Sequence, residues 1–118
     1  MTAAALDFGA DAAALLAQRA SAALLALCVV VHLVTMIVAV RGGLTAAEIL
    51  GRTRGSLAWA VFYGIFVVGV AIHAPIGVRT IVAEWRGAHT RGIDAAMLVF
   101  AAMLMVLGLR AVFAVTVR

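Results

Sequence analysis

A chain of 118 residues is one domain by length, yet 67% of it is hydrophobic and only 12% is charged. A mean hydropathy of +1.22 lies far outside the soluble range and excludes a water-soluble globular enzyme. The formal net charge of +4 comes from nine arginines and no lysine, and these form no basic patch interleaved with aromatics of the kind that binds nucleic acid.

Residues 1–18, "MTAAALDFGADAAALLAQ", read as a short leader in which Asp11 suits a helix N-terminus. A secretory signal does not fit, because Asp7 and Asp11 precede the first apolar run, no Lys/Arg-rich start exists, and the run is too long. Ala20–Val40, Leu57–Arg79 and Ala95–Val117 are nearly free of charge and each exceeds 20 residues. At about 1.5 Å per residue each crosses a hydrocarbon core of about 30 Å.

Helix 1, about residues 20–40, holds Cys28 as a small packing residue and stops at Gly42 and Gly43. In "LTAAEILGRTRGS", Thr45 and Glu48 have capping-box spacing, which predicts a short interfacial helix. Helix 2, about 57–85, begins near Ser56 and places Trp59 and Tyr63 at the level of an aromatic belt. The polar "RGAHTRGID" follows, and Asp94 is the expected cap of helix 3, about 95–117. The expectation is an all-α integral membrane protein, one domain over 1–118, with three transmembrane helices and a short interfacial helix. Arg19, Arg79, Arg86 and Arg91 fall on one side of the membrane and Arg41, Arg52, Arg54 and Arg118 on the other, so the arginines set no orientation.

Ionisable groups inside membrane spans are functional candidates because each is costly there. His32 and His73 are two such groups, and each can be a helix-bridging histidine or an axial haem ligand. Gly69 and Gly77 stand four residues before and after His73 on the same face. They either let a flat macrocycle approach the backbone or let another helix pack closely. His73 lies about 8 Å deep and His32 about 18 Å from the same side. Two axial nitrogens sit about 4 Å apart, so the two histidines do not share one iron.

Arg19 and Ser21 open helix 1 at the boundary where Glu84 and Trp85 close helix 2. A quinone needs such a mixture, an apolar slot for its tail and donors for its carbonyls, although Arg19 and Trp85 also suit plain interface anchoring. An indole N–H donates but supplies no proton, which leaves proton delivery to Glu84, a hydroxyl or water.

His73, Ala74, Ile76 and Gly77, followed by Glu84 and Trp85, resemble the membrane-anchor (cytochrome b) subunits of succinate dehydrogenase and fumarate reductase. "QRASA", Gln18 to Ala22, and the connection "LTAAEIL" share the resemblance, which covers about residues 16–118. It implies a chain in a larger anchor bundle of a succinate:quinone oxidoreductase, carrying haem b and a quinone site. Its partners would be a flavoprotein subunit, an iron–sulfur subunit, a second anchor chain and membrane lipid, in the bacterial inner membrane. His73 matches the axial haem ligand, with iron as its metal, and His32 a candidate ligand of a second haem. Arg19 and Ser21 match polar residues near the quinone. Trp85 replaces the family's usual tyrosine and Glu84 its aspartate, which removes a titratable hydroxyl. Pro75, two residues after the histidine, frees a carbonyl near Ala71. The competing expectations are a haem-free structural anchor and a small transport subunit using Arg110 with the two histidines.

Overall fold

The computed structural model describes the backbone of residues 3–88 and 90–117. Met1 and Thr2 of the leader and Arg118 of the arginine tally lie outside the described residues, as does the side chain of Asp7. Four helices follow in order: α1 (Ala3–Arg41), α2 (Ala46–Thr53), α3 (Leu57–Arg86) and α4 (Arg91–Thr116). Three of them, over Gly9–Arg41, Leu57–Arg86 and Arg91–Thr116, are long and apolar enough to cross a membrane. The protein is all-α and has the character of a multi-pass membrane protein.

The first helix is longer than its apolar run. It begins at Ala3 rather than near residue 20, and Asp11 lies inside it instead of at its start. The physical reason is composition, since the leader is rich in alanine and leucine and has no proline, and Asp7, Gly9 and Asp11 each cost about 1 kcal/mol or less. At about 1.5 Å per residue α1 is close to 58 Å long, which matches the 57 Å long axis of the molecule. It therefore extends well beyond a hydrocarbon core of about 30 Å.

The turns follow the local chemistry. After Arg41 the chain folds back through Gly43 at φ 66°, where the amides of Gly42 and Leu44 bond the carbonyls of Val38 and Ala39. The expected capping box of α2 is formed, with Glu48 N–H donating to Thr45 Oγ1 and Thr45 N–H donating to Glu48 Oε2 at 2.7 Å. Ser56 caps α3, and Gly87 ends it at φ 71°, a left-handed position that glycine takes without strain. Thr90, not Asp94, caps α4 by accepting the amide of Ile93. Asp94 sits in the first turn instead, where its carboxylate takes the Arg79 guanidinium, 2.7 Å from Nε to Oδ1.

α3 lies between α1 and α4, and α2 docks on the far end of α4. That docking is polar: Thr53 Oγ1 donates to the Val115 carbonyl at 2.6 Å and Gly55 N–H to the Thr116 carbonyl at 2.7 Å. α3 stays helical across Pro75, which is buried. Most large apolar side chains remain exposed, as a chain solvated by lipid requires; Leu27, Val40 and Leu98 are among them. Cys28 is buried at 3% exposure, in keeping with a packing role.

Candidate functional site

The seam between α1 and α3 is antiparallel, and its polar residues fall at two levels. At the first, Gln18 and Ser21 of α1 meet Gly77 and His73 of α3. Ser21 is 6% exposed, donates its hydroxyl hydrogen to the Gln18 carbonyl at 3.1 Å, and lies 3.3 Å from Nδ1 of His73. A hydroxyl has one hydrogen, so with that bond made it offers His73 a lone pair. Which of the two groups donates in the Ser21–His73 contact follows from the tautomer of the imidazole. A metal-bound histidine is commonly held with one nitrogen donating to a neighbour while the other faces the metal. With Nδ1 as the donor, the Ser21–His73 pair matches that arrangement, and a neutral imidazole nitrogen is a donor of the kind that haem iron takes.

Gly69 and Gly77 face α1. A Cβ on Gly69 would stand 3.1 Å from Leu25 Cδ2, and one on Gly77 would stand 3.2 Å from Gln18 Nε2. Within this chain both glycines serve close helix packing, and the space beside them is filled by α1 rather than left for a macrocycle. The Gln18 Oε1 next to Gly77 is buried and has no hydrogen-bond partner.

The second level is built around His32. Its Nδ1 lies 3.4 Å from the Tyr63 hydroxyl, and its ring packs edge-on against Tyr63 and Phe66. Tyr63 in turn stacks on Trp59, with centroids 5.6 Å apart. Tyr63 therefore faces inward to His32 rather than serving the aromatic belt alone. His32 also lines an open cavity of about 630 Å³ along α3 and α4, with Tyr63, Val67, Leu104 and Gly108 in its lining together with Leu50 and Thr53 of α2. The volume falls within the range of small-molecule and cofactor sites, roughly 300–1,000 Å³. Its lining is almost wholly apolar, with His32, Tyr63 and Thr53 as the polar exceptions.

Ten residues of α3 separate Tyr63 from His73, about 15 Å along the axis. The two histidines consequently occupy separate levels, too far apart to ligate one iron. No group of three or more His, Cys, Asp or Glu able to hold a bare metal ion occurs among the described residues.

The four residues assigned to the quinone boundary differ in burial. Ser21 is turned to His73 inside the seam, whereas Arg19 and Glu84 are exposed and Trp85 is 85% exposed. Since Gln18 faces Gly77, Trp85 stands eight residues further along α3, about 12 Å outward from that level. Arg110 is exposed on α4.

Two relationships escaped the sequence reading. Arg79 and Asp94 form an ion pair beside a groove of about 400 Å³ lined by Ala71, Pro75 and Leu98. Their opposite charges at the facing ends of two predicted helices were the available signal. Tyr63 as the partner of His32 had none, because it requires the register of α1 on α3.

Protein-family profiles, characterised proteins and solved structures were all compared with the chain, and none of them matches it.

Proposed function

We propose that this protein is a haem- and quinone-associated membrane anchor of a succinate:quinone oxidoreductase of the succinate dehydrogenase and fumarate reductase type. The observation that carries this reading is His73, half-buried in the α1–α3 seam with Nδ1 3.3 Å from the Ser21 hydroxyl oxygen. An imidazole so held offers Nε2 as an axial ligand. Haem b, when bound, supplies one-electron transfer between an iron–sulfur subunit and quinone.

The chain's own contributions are positional. α1 and α3 hold His73 at one depth and His32 at another, so a second haem at His32 is part of the proposal. The apolar cavity beside His32 supports that part. Since His32 lies about 15 Å from the level of His73, the second axial ligand at His73 comes from another chain, a second anchor subunit or a copy of this one. Arg19, Glu84 and Trp85, exposed at the same end of the molecule, are available to a quinone or to the soluble flavoprotein and iron–sulfur subunits. The proposed location is the bacterial inner membrane.

The test is spectroscopic. The purified complex is expected to show a reducible b-type spectrum and a flavin-containing partner, and His73→Ala is expected to remove the absorbance of one haem. An unchanged spectrum in that variant overturns the assignment.

A further inference from the structure

We propose that Ser21 is the positioning residue that selects the tautomer of His73. The serine sits in the seam at 6% exposure, one helical turn beyond Gln18, and its Oγ touches two polar groups. One is the Gln18 carbonyl at 3.1 Å, which can only accept. The other is His73 Nδ1 at 3.3 Å, which can donate or accept according to the tautomer. The single hydroxyl hydrogen goes to the carbonyl, so the lone pair left on Oγ requires a hydrogen on Nδ1. Free neutral imidazole side chains favour the opposite tautomer, with the hydrogen on Nε2. The seam therefore reverses the ordinary preference and leaves Nε2 bare before any ligand arrives.

The consequence for a metal rests on the reading of His73 as a haem ligand; the tautomer itself does not. A hydrogen bond accepted from Nδ1–H raises the donor strength of Nε2, and loss of such a partner typically weakens metal binding about 10- to 100-fold. The weaker ligand also stabilises ferric iron less, so the midpoint potential rises. Ser21 acts through His73 and touches neither iron nor quinone in this scheme, which distinguishes it from a quinone-binding residue.

Nitrogen-15 NMR on the histidine-labelled, haem-free full chain in lipid bilayers at about pH 8 tests the tautomer directly. The His73 signal is the one absent from His73→Gln. Wild type is expected to show Nδ1 protonated and Nε2 bare. Ser21→Ala is expected to move the population to Nε2–H, and Ser21→Thr, which keeps the hydroxyl, to restore it. A wild-type signal with the hydrogen on Nε2 overturns the proposal, and so does an unchanged tautomer in Ser21→Ala. Wild type alone decides the matter if Ser21→Ala fails to insert. In the haem-loaded complex, Ser21→Ala is expected to bind haem about 10-fold more weakly and at a higher potential, with Ser21→Thr restoring both. The predicted tautomer without any haem effect leaves the positioning of His73 standing and removes its role as a ligand.

Discussion

Gly108 of α4 lies so close to Val67 of α3 that a Cβ built on it would stand 2.5 Å from Val67 Cγ1. Real Cβ atoms do not approach so closely, so either α4 or the valine must move to admit one. Both residues also line the cavity beside His32, which makes this contact a hinge point between helix packing and cavity shape. Gly108→Ala is expected to destabilise the bundle by about 1–3 kcal/mol, the usual cost of overpacking. Reversible unfolding in detergent measures it, and a neutral result would mean that the helices part without strain.

Loss of the two histidines should have different consequences. His73→Ala breaks the Ser21 contact, and His32→Ala empties the edge of a cluster containing Tyr63 and Phe66. If each holds its own haem, the single variants each remove part of the b-type absorbance and the double variant removes all of it. Haem-to-flavin ratios on the purified complexes read this directly. Complete loss of absorbance in either single variant would mean that one haem alone is present or that the two are bound together.

Arg79 and Asp94 pair across α3 and α4, with side chains 36% and 48% exposed. Exposed pairs contribute about 0–1 kcal/mol, and screening by solvent and salt applies at this exposure. A double-mutant cycle with Arg79→Gln and Asp94→Asn is expected to give a coupling in that range. Salt that reduced the coupling further would mark the pair as water-exposed, at the bilayer boundary. A coupling insensitive to salt would place it deeper than its exposure indicates.

The capping box of α2 makes this helix pH-sensitive. The Glu48 carboxyl is held below its ordinary value of 4.5, first by the hydrogen bond from the Thr45 amide and then by the Thr45 side chain, with Arg52 adding attraction. A carboxyl whose folded value is depressed contributes stability at pH above its unfolded value, and that contribution is lost as pH falls through the folded value. Amide exchange in α2 should therefore accelerate relative to the chemical rate below pH 4.5 in wild type but not in Glu48→Gln. Thr45→Ala, which removes the other half of the box, should cost about 1 kcal/mol of α2 stability. Equal pH profiles for wild type and Glu48→Gln would show that the box does not govern fraying.

Run length and punctuation alone determined the fold class. Apolar stretches too long for a soluble core specify three membrane-crossing helices, and Gly43, Thr45, Ser56 and Gly87 specify where the chain turns, because caps and left-handed positions are local chemistry. The start of α1 was not legible in the same way, since hydropathy reports the span and not the helix that contains it. His32 and His73 could be singled out in the sequence because an ionisable group in a membrane span is conspicuous by itself. Their partners could not. Ser21 looked like a boundary residue, Tyr63 like part of an aromatic belt, and Asp94 like a cap. Thr90 took the cap from Asp94 locally, whereas the partners of all three were set by the register of one helix on another, a long-range relation carried by close packing at Gly69, Gly77 and Gly108. The tertiary structure thus decided which hydroxyl faces which imidazole, because rigid helices that touch at one point are committed along their whole length.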